Sequence, residues 1–221
     1  MERLLRLYSL PYNPLHPVVC FDERALLPHR RRGGSPQVAP LNPQPGQAAR
    51  EHYAYTKHGS CCLLACIEPL TGTRLAQLQP QRTKREYAHF LQALSHKYPH
   101  AHTIHLVQDN LNTHDKSALY ETFEPEEAFA LSQRFAFHFT PKSASWLNRI
   151  EIEFSALSRQ CLNRRIPTFE RMQSEIMALV QEREDKGIRI HWQFSLTAAR
   201  DKFHRHYRNI RSTDPNATSL G

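Results

Sequence analysis

Three acidic residues, far apart along the chain, carry the chemistry that this sequence can offer. Asp22 and Asp109 each close a short apolar run, Pro17-Val-Val-Cys-Phe-Asp22 and Thr103-Ile-His-Leu-Val-Gln-Asp109, and Glu151 lies in a stretch of helical apolar spacing. Acids at strand ends beside a helix are what a carboxylate metal site requires, because Mg2+ and Mn2+ are hard cations that prefer oxygen ligands. Three carboxylates can hold two such ions roughly 3.5–4 Å apart, an arrangement suited to attack on a phosphodiester. Each acid also has an ordinary reading. An Asp at a strand end caps turns, Asp109 could sit in a polar loop within Gln108-Asp-Asn-Leu-Asn-Thr-His114, and Glu151 could be a solvated helix residue.

Helical geometry narrows the third position only in part. Glu151 and Glu153 lie about 200° apart around a helix, on opposite flanks of its apolar stripe, so both cannot reach one pair of ions. Periodicity does not choose between them.

The elements that must position these acids are legible from spacing. The run 17–22 predicts a buried strand ending at Asp22. Residues 28–50 hold most of the Pro and Gly punctuation and no periodicity, which predicts a long basic loop. Residues 53–57, 60–67 and 74–79, the last two joined by a turn at 68–73, predict an antiparallel meander. Thr83 with Glu86 forms a capping box before the helical spacing of Tyr87, Phe90, Leu91 and Leu94, which Pro99 closes. A strand at 103–108, helices near 116–123 and 125–134, a strand at 135–140 and a linker at 141–145 follow. From Trp146 to Asn163 the period is helical, with Leu147, Ile150, Phe154, Leu157 and Cys161 in one stripe and Trp146 anchoring the helix in the core. A helix from Pro167-Thr168 to about Lys186 and a basic helical tail at 196–211 complete the chain. There is no internal repeat. Strands that begin as a meander and then alternate with helices predict a mixed α/β layer fold.

Composition sets the partner class. Of 221 residues, 40% are apolar and 23% charged, which is globular, with room for one domain of ordinary size. Twenty-nine Lys and Arg against 21 Asp and Glu give a net charge of +8, and 14 histidines can add to it in acid. Such an excess favours a polyanion, most often nucleic acid. No apolar run approaches the roughly 20 residues of a membrane span, and the first ten residues lack the apolar core of a secretory signal. A cytosolic, nucleoid-associated protein is expected. The five cysteines, Cys20, Cys61, Cys62, Cys66 and Cys161, lie in apolar runs without metal-ligand spacing and are expected in the core rather than on zinc.

Taken together, the blocks Val18-Val-Cys-Phe-Asp22-Glu23, Leu106-Val-Gln-Asp109-Asn110 with Thr113-His114, and Thr140-Pro-Lys with Ser145-Trp-Leu-Asn148-Arg-Ile-Glu151 resemble the three catalytic blocks of mariner-like bacterial insertion-sequence transposases, of the DDE superfamily. Eighty-six residues separate the first two acids and 41 the last two, spacings compatible with that family. Pro45-Gly46, Tyr53-Ala-Tyr55, Glu68-Pro-Leu-Thr-Gly72, Arg159-Gln-Cys-Leu-Asn-Arg-Arg-Ile166 and Ala199-Arg-Asp-Lys202 extend the likeness along nearly the whole chain. Three positions depart from it. Ser143 stands where relatives often have His, and Ala54 where an acid is common. Only about sixteen residues precede the first strand, too few for the helix-turn-helix units with which relatives read transposon ends.

The resemblance implies a ribonuclease-H-like fold, a five-stranded mixed sheet flanked by helices. It implies a short segment at 1–16, a catalytic domain at 17–211 and a flexible tail at 212–221. Asp22, Asp109 and Glu151 would be both catalytic residues and ligands of two Mg2+ or Mn2+ ions, with Glu151 preferred over Glu153. The reaction would be hydrolysis of DNA at transposon ends and strand transfer to target DNA, by a chain without its helix-turn-helix reader. The implied partner is double-stranded DNA, with a homodimer as the active form and no membrane or small-molecule cofactor.

Asn110, His114 and Asn148 are the expected supports of the acids: Asn110 on a carboxylate or bound water, His114 as a donor to the scissile phosphate, Asn148 as a helix cap or carboxylate partner. Phosphate contacts need only well-placed cations, and Arg30, Arg31, Arg32, Lys142, Arg159, Arg164 and Arg165 are the candidates. Two other classes fit the same residues: another nuclease on this core, and a remnant that binds DNA without cutting it.

Overall fold

The computed structural model describes residues 1–26, 60–111, 113–141, 144–191 and 197–199, together with the backbone of 29–31 and 55–57. A five-stranded sheet forms the centre. Its strands are β1 (Val18–Leu26), β4 (Cys61–Ile67), β5 (Arg74–Gln79), β6 (Ile104–Gln108) and β7 (Phe135–Phe139), in the order β5-β4-β1-β6-β7. β4 pairs antiparallel with both β1 and β5, while β6 runs parallel to β1 and to β7. The expected mixed five-stranded sheet is present.

Two expectations about the first half are corrected. β1 does not stop at Asp22. It runs on to Leu26, because Asp22, Glu23 and Arg24 find ladder partners in Ala65, Leu64 and Leu63 of β4, a strand buried at all seven positions. The segment at 55–57 does not join the meander. As β3 (Tyr55–Lys57) it pairs antiparallel with β2 (His29–Arg31) in a separate two-stranded ribbon. The remainder of that stretch, with Arg32, Pro45, Gly46, Tyr53 and Ala54, lies outside the described residues.

Alternation along the strands builds two cores. Cys20, Leu63, Ala65 and Val107 face α1 (Glu2–Tyr8), α5 (Ile150–Gln160) and α6 (Phe169–Asp185), meeting Leu4, Leu5, Phe154, Leu157 and Ile176. Val19, Phe21, Leu64, Ile104 and Leu106 face α2 (Lys84–Lys97), α3 (Ser117–Thr122) and α4 (Pro125–Gln133). α2 begins at the anticipated capping box: the Thr83 hydroxyl accepts from the Arg85 N–H, and the Glu86 carboxylate returns to the Thr83 backbone. All five cysteines are buried free thiols, acting as small core residues.

The stretch from Trp146 departs from one continuous helix. A 3₁₀ turn at Ser145–Leu147 comes first, and α5 starts only at Ile150. The turn buries Leu147 completely and leaves Trp146 41% exposed, so Leu147, not Trp146, anchors the segment in the core. The rest of the predicted stripe, Ile150, Phe154, Leu157 and Cys161, is buried as its spacing requires. Of the predicted basic tail, residues 197–199 are described, as a helical turn; 200–211 lie outside the described residues. Among the described residues no helix is long and apolar enough to cross a membrane.

Candidate active site

Strand alternation decides where the acids point. Cys20 faces α5, so Asp22, two residues on, faces it as well, and Val107 does the same for Asp109. Val18, Val19 and Cys20 stand opposite His105, Leu106 and Val107, so Asp22 and Asp109 each follow the last of these pairs by two residues, Asp22 within β1 and Asp109 just past the end of β6. Glu151 occupies the first turn of α5, the helix packed on that face. Two ties lock α5 to β1: the Arg24 guanidinium donates to the Phe154 carbonyl (3.1 Å) and Ser158 hydroxyl (2.6 Å), and Asn148 bonds across to β1.

Of the two roles expected of Asn148, helix cap and carboxylate partner, the hydrogen bonds show the second. Its backbone ends the 3₁₀ turn, and its buried side chain donates through Nδ2 to the Phe21 carbonyl (2.7 Å) and to Asp22 Oδ2 (3.3 Å). It therefore holds the Asp22 carboxylate from the α5 side. The Glu23 N–H holds the other oxygen, Oδ1, at 2.8 Å. The Asn148 Oδ1 atom is buried without a hydrogen-bond partner.

Among the described residues no Lys or Arg pairs with Asp22, Asp109 or Glu151; the one ionisable partner is His114, on Asp109. Burial first, and then the charges of Asp109 and Glu151, push the Asp22 carboxyl up to about 6, against the pull of the Glu23 N–H and His114. As the side chains stand, no three His, Cys, Asp or Glu converge at ligating distance among the described residues. The donor set fits Mg2+ or Mn2+: it is all oxygen, it clusters negative charge, and it has buried polar support.

His114 is placed as a support and not as a phosphate donor. Its side chain is 0% exposed, so no phosphate can reach it. The ring packs against Tyr87 and Phe21, with centroids 4.9 and 5.1 Å away, and Nδ1 lies 2.5 Å from Asp109 Oδ1. Its Nε2 faces Glu23 Oε2 at 3.5 Å, and Glu23 Oε1 pairs with Arg82 at 2.9 Å. Burial alone would lower the imidazole pKa; the two carboxylates, Glu23 and Asp109, hold it above its ordinary value. Behind it, Gln108 accepts from the Tyr87 hydroxyl (2.6 Å) and donates to the His114 carbonyl (2.9 Å), fixing the turn that carries Asp109.

Glu23, Arg82, Gln108 and Tyr87 were not singled out from sequence as parts of the site. The signal for Glu23 was present: it follows Asp22 in a strand, so it must face the opposite side, toward α2.

Glu153 is taken out of contention. It is buried between Arg74 and Arg183, each of which places Nε on Oε2 and Nη2 on Oε1, all four contacts at 2.9–3.0 Å. Burial pushes its pKa up, and the two guanidinium groups outweigh that and hold it below the usual carboxylate range. All the accepting positions of this carboxylate are committed, whereas Glu151 is exposed.

Of the expected DNA-binding residues, Arg159, Arg164 and Arg165 are exposed at or beyond the C-terminal end of α5. Arg159 lies eight residues after Glu151, about 12 Å along the axis. Arg164 is ion-paired to Glu175. Arg24 and Arg164 line a cleft of about 290 Å³ beside Ser158 and Leu162. Asn110 is exposed beyond β6. Arg30 and Arg31 lie in β2, their side chains outside the described residues, as are Arg32 and Lys142.

The family model described as DDE superfamily endonuclease matches residues 17–173. Among solved structures, the fold is similar to the Mos1 strand transfer complex (TM-score 0.57, 16% identity, 84% of this chain and 53% of that one). It is also similar to the Mos1 transposase paired-end complex with left transposon end (0.55, 19%, 85% and 55%) and to the Mos1 mariner paired-end complex with Mn (0.54, 19%, 84% and 54%). The chain thus spans about half the length of these structures, and at such identities the likeness is one of fold, ribonuclease-H-like. No curated protein sequence matches the chain.

Proposed function

Because the chain belongs to the DDE superfamily endonucleases, we propose that it is the catalytic part of a transposase, which hydrolyses DNA at transposon ends and transfers the freed strand to target DNA. The observation that carries this reading is a trio of acids to which no Lys or Arg is paired among the described residues. Asp22 on β1 and Asp109 just past the end of the adjacent parallel strand β6 each lie two residues beyond the register pair Cys20–Val107. Glu151 sits in the first turn of the helix packed on the same face, and Asp22 is electrostatically coupled to both others.

Asp22, Asp109 and Glu151 would hold the ions. When bound, Mg2+ or Mn2+ supplies Lewis-acid activation of the attacking hydroxyl and neutralises charge on the leaving oxygen. The chain's own residues set the frame. Asn148 and the Glu23 N–H orient Asp22 from two sides, and His114, steadied by Glu23, orients Asp109. The exposed arginines of α5 and the turn after it provide sequence-independent attraction for the phosphate backbone. The likeness to the Mos1 paired-end and strand transfer complexes makes DNA ends and target DNA the natural substrates to test.

Incubation with Mn2+ and labelled transposon-end duplex, RNA–DNA hybrid and plain duplex tests the proposal. Metal-dependent nicking and joining of the end duplex supports a transposase. Cleavage confined to the hybrid points to another nuclease on this core, and binding without cleavage of any substrate overturns the catalytic assignment.

A further inference from the structure

The buried Arg74–Glu153–Arg183 cluster lies two residues from Glu151 and ties three elements together. Arg74 comes from β5, Glu153 from α5 and Arg183 from α6. Both guanidinium groups grip the carboxylate as two-pronged forks, so each oxygen accepts two hydrogen bonds. Arg74 is itself fixed by the carbonyls of Gly72 (2.5 Å) and Ile188 (2.8 Å).

The apolar stripe of α5 sets how close the helix lies to the sheet, but shape packing of this kind tolerates rotation about the helix axis by sliding of side chains. Two planar forks closing on one carboxylate do not. They fix the position of Glu153 and hence the roll of α5. Glu151 sits about 200° from Glu153 on the same first turn, so the same constraint fixes the direction in which Glu151 leaves the helix. An apolar trio would fill this space at comparable stability, since buried ion clusters add little net stability over well-packed apolar groups. Directional control is what the charged cluster adds.

We propose that Glu153, clamped by Arg74 and Arg183, is a positioning residue that sets the roll of α5 and thereby aims Glu151 at the Asp22–Asp109 pair. This rests on the reading of Glu151 as a metal ligand.

The test is Mn2+ affinity by calorimetry on the full chain, with metal-dependent plasmid nicking and thermal melting alongside. The Glu153→Asp variant keeps the charge and pulls the carboxylate back by roughly 1.5 Å, one carbon–carbon bond. It is expected to melt cooperatively while losing at least about tenfold in Mn2+ affinity, with a parallel loss in nicking rate. The triple variant Arg74→Met, Glu153→Leu, Arg183→Met is expected to fold and to show the same metal defect. Mn2+ affinity and nicking at the parent level in folded Glu153→Asp would overturn the positioning role. Glu151→Gln in the parent separates the two readings: if it leaves Mn2+ affinity unchanged, the assignment of Glu151 itself fails, whatever Glu153 does.

Discussion

The Asn148 side chain bridges the two elements that carry opposite members of the acid set, donating at once to the backbone of β1 at Phe21 (2.7 Å) and to the carboxylate of Asp22 (3.3 Å). One amide therefore fixes both where the segment before α5 docks and how the first acid is turned. Losing such a support commonly costs a metal site 10–100-fold in affinity. Asn148→Ala is expected to lower Mn2+ affinity by about that factor, measured by calorimetry, while DNA affinity at low salt stays near the parent's. A wild-type Mn2+ affinity would remove Asn148 from the site.

Asp22 gives a pH signature. Its carboxyl is raised from 3.8 to about 6, so the folded chain binds this proton more tightly than the unfolded chain does. Its contribution to stability is fully present below pH 3.8 and is lost as pH rises through about 6, so at neutral pH the ionised group is a burden on the fold. The full shift corresponds to about 3 kcal/mol, which solvent screening at this partly exposed group reduces to about 1–2 kcal/mol. Asp22→Asn is expected to raise the melting temperature at pH 7.5, to give no gain near pH 3.5, and to abolish metal-dependent nicking. In the metal-free chain a proton competes for this carboxylate, so the parent's Mn2+ affinity should weaken as pH falls through about 6.

Glu153 has the opposite sign. The two arginines hold its pKa below the ordinary 4.5, so its stabilising contribution is present above that value and is lost as pH falls below it. Glu153→Gln leaves two buried guanidinium groups facing a neutral amide and is expected to cost about 3–5 kcal/mol at pH 7. Urea unfolding at pH 7 and pH 3.5 checks this: the difference between parent and variant should shrink in acid.

Gly72 is a fixed point of the same region. Its φ is +83°, and a Cβ placed there would lie 2.6 Å from the Ile188 carbonyl oxygen, the group that anchors Arg74. Gly72→Ala combines a left-handed backbone with a clash against main chain and is expected to destabilise by about 2–4 kcal/mol in chemical denaturation.

Most of the sheet and the helices from α2 onward were legible because their apolar residues follow clean periods, and the capping box at Thr83 announced α2 directly; α1, read only as a short segment before the domain, in fact buries Leu4, Leu5 and Leu7 in the core. Other features were not legible, and three of them show the tertiary reasons. β1 outruns Asp22 only because β4, buried along its whole length, offers ladder partners that no local signal in 22–26 reveals. Period alone leaves Glu151 and Glu153 equivalent on the flanks of α5; what separates them is Arg74 and Arg183, 79 and 30 residues away from Glu153. For His114 the sequence left a phosphate contact and a packed side chain both open; Phe21 and Tyr87, remote in sequence, close over it and leave it only Asp109 and Glu23 to serve.

The most direct check on the three-acid centre is a paired measurement on Asp109→Asn, which keeps the size of the side chain and removes its charge. Supercoiled plasmid is incubated with Mn2+ and parent or variant protein, and binding to the same DNA is measured without metal. The centre as described requires nicking by the parent, none by the variant, and DNA affinity nearly equal for the two. Continued nicking by Asp109→Asn, or loss of nicking and DNA binding in equal measure, would contradict it.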